Sequence, residues 1–220
     1  MNILDIIGPI MIGPSSSHTA GAVRLALLAK NIFNEPIEKA EIFLHGSFAD
    51  TYKGHGTDLA LIAGLLGFKP DDGNIPHAYT IAQEKKLAIS IEKINLGELA
   101  HPNSVKFILH SSKNRCEIIG CSLGGGRVSI SEIDGFIVDI NGQMPILLTI
   151  HNDKPGIIAL VSSILSNSGI NIAQMKVFRQ NKGGLASMVI EIDQIIDKSI
   201  VQAITTLPNI QKVRSINNVI

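Results

Sequence analysis

The chain has 220 residues, enough for one large domain or two small ones, with surface scaling that lets about 70% of the extended-chain surface be buried. Hydrophobic residues make up 45%, charged residues 17%, and the 19 Lys+Arg cancel the 19 Asp+Glu. That balance argues against disorder, acidic tails and a basic nucleic-acid footprint, and no apolar run reaches the 18 residues of a membrane span.

From the N-terminus, MNILDIIGPIMIG carries Asp5 but no Lys or Arg, so it lacks the charged start of a secretory signal. A Gly/Pro/Ser loop at 8–18 leads into a helix, TAGAVRLALLAKNIF. Residues 37–45 read as a strand, Thr57 to Leu66 as a short helix and 76–86 as another. LAISIEKI, VKFILHS, RCEIIGCSL, RVSISEID and FIVDI then follow as strands. Cys116 and Cys121 fall among them, too few thiolates for an ordinary iron–sulfur cluster; free thiols fit a cytoplasmic chain.

After a boundary near Asn141-Gly142 the pattern sharpens. PILLTIHN is a strand, and IIALVSSILSNSG is a helix with Ile157, Leu160, Val161, Ile164 and Leu165 on one face and Gly169 as its stop. INIAQMKVFRQ and LASMVIEID make a hairpin about the turn at 181–184. Asp197 can cap a last helix, DKSIVQAITTL, and Asn209 to Ile216 supplies the final strand. The order βαββαβ is the ferredoxin-like unit, with helices on one sheet face and the other face or an edge left for a ligand or another chain. The predicted class is α+β, with domains at 1–142 and 146–220.

The densest polar constellation is Ser15-Ser16-Ser17-His18-Thr19, just before an apolar helix. Free amides and the positive dipole end at such a place attract a carboxylate or phosphate, whereas an ordinary N-cap explains only one serine. Glycines flank His55 and bring its imidazole close to a ligand, while Thr57 or Asp58 has an adequate role capping the next helix. His45 and His110 read as ordinary strand-end residues. Asn103 in H-P-N-S and the turn Gly124-Gly125-Gly126 are weak signals alone, and no Walker loop is present. Without G-x-S-x-G, and with Ser17 and His18 adjacent, a Ser–His hydrolase is disfavoured. At the later strand-to-helix turn, the amides around Asp153, Lys154, Pro155 and Gly156 suit an amino-acid carboxylate. His151, Asp153 and Asn171 are candidates for its ammonium or side chain, and Pro155 is also explained as the first helical residue.

The runs IGPIMIGPSSSHTAGAVRL, HGSFADTYKGHGTDLALIAGLLG, HPNSVKF and SLGGGR resemble the β chain of two-subunit, iron–sulfur-dependent L-serine dehydratases. The H-N-D-K-P-G…G-I-N-I tail resembles an ACT regulatory domain, close in pattern to that of phosphoglycerate dehydrogenases. Tyr and Glu are more usual in the family where this chain has His45 and Asp50. The resemblance implies deamination of L-serine to pyruvate and ammonia without pyridoxal phosphate. It implies a [4Fe–4S] cluster held by cysteines of a separate α chain, with no metal ligands in this one. It gives His55 and His18 catalytic roles; the glycines beside His55 favour it for proton transfer, and the hydroxyls beside His18 favour that residue for the carboxylate cradle. Ser15, Ser16, Ser17, Thr19, Asn103 and Gly124 to Gly126 would contact substrate. His151, Asp153, Pro155, Gly156 and Asn171 would bind a regulatory amino acid or monovalent cation where two ACT units pair. The competing reading is a non-catalytic amino-acid-sensing subunit. Neither reading involves nucleic acid or membrane.

Overall fold

Helix α1 (Gly21–Phe33) sets the first layer. It buries Ala22, Val23, Leu25, Ala26, Leu28, Ala29, Ile32 and Phe33, and it ends on Asn34 in the left-handed region at φ 55°. So much of its circumference is buried because it packs against both a sheet and a second helix. The computed structural model describes residues 10–217, so the start of the loop at 8–18 and the charge-poor N-terminus lie outside the described residues.

The chain divides between Asp134 and Gly135 into two compact units. In the first, β1 (Lys39–Leu44) turns Ala40, Ile42 and Leu44 inward by strict alternation. Helices α2 (Gly46–His55) and α3 (Thr57–Leu66), a 3-10 turn (Ile75–His77) and α4 (Ala78–Glu84) follow, so the helix expected at 76–86 is two shorter pieces. The chain then returns as β2 (Ala88–Lys93), parallel to β1 from Lys39↔Ala88 to Leu44↔Lys93. Antiparallel strands β3 (Ser104–His110), β4 (Arg115–Gly124) and β5 (Arg127–Ile133) run on from β1 in the order β2-β1-β3-β4-β5.

Helix α2 was not legible as a helix. Its start requires Gly46, at φ 56°, because a Cβ there would stand 2.7 Å from the Pro102 carbonyl oxygen. Helix α3 crosses α1 with equally little room: a Cβ at Gly64 would lie 2.3 Å from the Val23 carbonyl oxygen and 2.7 Å from Ala26 Cβ.

In the second unit, β6 (Phe136–Ile140) precedes β7 (Ile146–Asn152), α5 (Ile157–Asn167), β8 (Ile172–Arg179), β9 (Leu185–Ile192), α6 (Lys198–Thr205) and β10 (Ile210–Ile216). The four-stranded sheet has the order β10-β7-β9-β8, antiparallel throughout. This is the expected ferredoxin-like unit. Its helix-side core joins Leu147, Met188, Ile190 and Ile192 to Ile157, Val161, Leu165 and Ile204.

Several local expectations change. Leu160 is 41% exposed rather than on the core face. Pro155 stands before the helix, because Gly156 at φ 92° is the N-cap, and Asp197 is an N-cap whose side chain makes no capping bond. The second sheet face is not left open: Ile146, Leu148 and Val189 are buried there. Strand β6 lies against β9 and β8, with Ser187 Oγ–H donating to the Ile137 carbonyl and Lys176 paired with Asp139. Among the described residues, no helix is long and apolar enough to cross a membrane.

Gly64→Ala tests the α1–α3 crossing. Helix propensity alone favours Ala by about 1 kcal/mol. Overpacking against a backbone oxygen costs about 1–3 kcal/mol or more, so net destabilisation is expected in urea denaturation of the full chain.

Candidate functional site

Ser15 is extended (φ −141°, ψ 126°), and its Oγ accepts the His18 N–H at 3.1 Å, so this serine is the N-cap. A π-helical turn, Ser16–Ala20, follows and runs into α1 with helical backbone at Ala20. Single π turns of this kind recur at functional sites.

Three other segments meet this turn. Ser122 on β4 is fully buried; its Oγ–H donates to the Ser17 carbonyl at 2.9 Å, and its N–H donates to the Asn103 carbonyl at 3.0 Å. A Cβ on Gly124 would stand 3.5 Å from Ser17 Oγ. Ser17, Asn103 and Gly124 are therefore brought together. Gly125 and Gly126, at φ 60° and 76°, form the two-residue turn between Gly124 and Arg127.

The histidines meet as well. The His18 and His55 ring centroids are 4.8 Å apart, and His18 stands edge-on to Phe48 at 5.0 Å. Its Nε2 lies 3.2 Å from Ser47 Oγ on the first turn of α2, and Thr19 Oγ1–H donates to the His55 carbonyl at 3.4 Å. Burial pushes the His18 pKa below its ordinary value, and repulsion from His55 pushes it the same way. His55 Nδ1 faces the Thr51 carbonyl at 3.3 Å. A carbonyl only accepts, so Nδ1 carries the hydrogen and Nε2 of the neutral ring keeps its lone pair. The glycines beside His55 differ in role: Gly54 is helical, whereas Gly56 at φ 64° makes the reversal between α2 and α3.

Thr57 and Asp58 do not cap α3. Gly56 is the N-cap, Asp58 Oδ1 accepts its neighbour's Leu59 N–H, and Asp58 Oδ2 accepts from the Tyr79 hydroxyl at 3.5 Å. Thr57 is fully buried, and its Oγ1 is the buried side-chain polar atom without a hydrogen-bond partner among the described residues. Sequence reasoning passed over Thr57, Ser47 and Ser122 as site residues. The first had a capping role to explain it, and lone hydroxyls carry no signal until folding supplies their neighbours. His45 and His110 have structural partners: His45 Nδ1 accepts the Leu96 N–H at 3.2 Å, and His110 Nε2 lies 2.8 Å from Glu41 Oε1.

In the second unit, Asp153 Oδ2 accepts the Gly183 N–H at 3.0 Å and pairs with Arg179 at 3.4 Å. Buried His151 has Nδ1 3.3 Å from Thr149 Oγ1; burial lowers its pKa while Asp153 opposes the shift. Asn171 instead binds Gln194 and Asp193, the latter at 2.7 Å. Asn152 pairs with Leu185, whereas Ile172 pairs with Ile192. Asp153 and Asn171 thus occupy opposite ends of one sheet, about 23 Å apart along β9. A single copy does not assemble the predicted regulatory set.

An iron–sulfur cluster does not fit this chain alone. Cys116 and Cys121 are not joined as a disulfide and lie five residues apart on β4, hence on opposite faces. Among the described residues, no three His, Cys, Asp or Glu side chains gather as a metal site.

Comparison with known proteins agrees with the two-unit organisation. A family model described as serine dehydratase beta chain matches residues 2–117, and one described as an AHAS small subunit-like ACT domain matches residues 147–215. The probable L-serine dehydratase beta chain of Bacillus subtilis (strain 168) is 44% identical over 98% of this chain and 97% of its own length. The L-serine dehydratase beta chain of Peptoniphilus asaccharolyticus is 39% identical over 91% of this chain and 90% of its own. The D-3-phosphoglycerate dehydrogenase of B. subtilis is 28% identical over 89% of this chain but only 37% of its own length. Family models and near full-length relatives agree, and the chain belongs to the serine dehydratase beta chain family, with an ACT domain at residues 147–215.

Proposed function

We propose that this chain is the beta subunit of an L-serine ammonia-lyase, converting L-serine to pyruvate and ammonia without pyridoxal phosphate. A separate alpha chain holds the [4Fe–4S] cluster, for which the described residues of this chain gather no ligand set. The observation that carries the reading is the pairing of His18 and His55 beside the Ser15–Thr19 turn in a member of this family. His55 Nε2, unprotonated in the neutral ring, takes the α-proton of serine. Loss of that proton and of the β-hydroxyl, whose departure as hydroxide the partner's cluster would assist as a Lewis acid, leaves aminoacrylate, whose imine hydrolyses to pyruvate and ammonia. His18 and the hydroxyls of the turn hold the substrate carboxylate, with Asn103 and Gly124 at its border.

A second reading, an amino-acid-sensing subunit without catalysis, has one observation in its favour. The similarity to the D-3-phosphoglycerate dehydrogenase spans both units, so the pair recurs in a protein named for a different reaction.

The ACT domain self-associates in this proposal. β8 is an edge strand with Val177 42% exposed. Antiparallel pairing of two β8 edges brings Asn171 of one copy toward the Arg179–Asp153 end of the other. The resulting site takes an amino acid or a monovalent cation.

In the complete enzyme with its cluster intact, His55→Ala should lower kcat by about 10²–10⁴-fold. His18→Ala should act mainly on KM, at about 1–3 kcal/mol. Unchanged kcat in both variants would favour the sensing reading.

His18 also has a pH signature. Its folded pKa lies below the unfolded value, so the unfolded chain binds the proton more readily. The stability it contributes is present above about pH 6.5 and is lost as pH falls through that value and on toward the folded pKa. NMR titration should place His18 below the free-histidine midpoint, and His55→Gln should move it upward. Sedimentation of the full chain should show dimers burying at least about 1,000 Å²; Val177→Lys should shift them to monomer.

A further inference from the structure

We propose that Ser47 is a positioning residue: its hydroxyl donates to His18 Nε2 and thereby keeps the His18 proton on Nδ1, the edge that faces the substrate carboxylate. The inference deepens, and rests on, the assignment of His18 to the carboxylate.

The geometry confines both partners. Ser47 is the second residue of α2, whose start is locked by Gly46 against Pro102 and by the Phe48 N–H donating to the Pro102 carbonyl at 3.4 Å. His18 is tied at its backbone to Ser15 Oγ, and its ring contacts those of Phe48 and His55. The remaining freedom of a ring held this way is the choice of nitrogen that carries the hydrogen. That choice is set by the hydrogen bond made at the other nitrogen. His18 Nε2 lies 3.2 Å from Ser47 Oγ.

Direction follows from where Ser47 stands. The first turn of a helix presents unpaired amide N–H groups and positive potential. A lone pair on Nε2 is favoured toward that field, and an N–H on Nε2 is disfavoured. A serine hydroxyl can donate or accept, so it turns its hydrogen toward the lone pair. An alanine at position 47 supplies no such donor, while a threonine does. The ring of His55 is unaffected in this scheme, because its own hydrogen is fixed by the Thr51 carbonyl.

Long-range proton–nitrogen NMR on the labelled full chain reads this without turnover. The wild-type chain should show His18 in the Nδ1–H tautomer. Ser47→Ala should give a mixture of tautomers with His55 unchanged, and Ser47→Thr should restore the wild-type pattern. In the complete enzyme, Ser47→Ala should raise the serine KM about 10-fold or more, and Ser47→Thr should recover most of it, as for other groups that orient a functional histidine. A wild-type His18 protonated on Nε2, or a tautomer that Ser47→Ala leaves unmoved, overturns the proposal. A changed tautomer with an unmoved KM overturns instead the carboxylate assignment on which it rests.

Discussion

Two strands paired in the same direction cannot be joined by a tight turn, and that constraint organises the first unit. β1 and β2 are parallel, so the chain must travel from one end of the sheet back to the other before pairing again. The return is made by α2, α3 and α4. The break between the first two, at Gly56 in the left-handed region, places His55 at the end of one helix and Thr57 at the start of the next. The polar groups contributed by this segment follow from where that return begins and bends.

The other half of the site depends on a local departure from α-helical geometry. In the π turn at Ser16–Ala20, the Ser17 carbonyl reaches Ser122, His18 reaches Ser47 and Thr19 reaches His55. Three tertiary bonds from three successive residues hold the turn, one ending on β4 and two at opposite ends of α2. α1 then anchors it, because its buried face packs on the sheet and on α3.

Much of this was legible in the amino-acid pattern. The strands of the second unit alternate or run apolar between turn residues, and Thr57 to Leu66 was read as a helix at its observed bounds. Helix α2 was not legible, because GSFADTYKGH holds two glycines and buries only Phe48 and Ala49. Tertiary contact with Pro102, more than fifty residues on, overrides the weak local preference. The S-S-S-H-T turn and the G-H-G-T segment were visible as motifs. Their meeting was not derivable from spacing, since Ser47 and Ser122 join His18 and Ser17 from 29 and 105 residues away. The separation of Asp153 from Asn171 was hidden for the same reason, because it depends on the register of β7 and β8 along β9.

Among the described residues the buried hydroxyl of Thr57 meets no hydrogen-bond partner, which has a thermodynamic consequence for this corner of the core. A buried polar group without a hydrogen bond weighs against folding by about 1–3 kcal/mol, whereas valine has nearly the same shape and no such penalty. Threonine here therefore leaves the first unit less stable than its packing would allow. The loss falls where α3 begins, two residues beyond His55. A protein shaped for folding alone would fill this position with carbon.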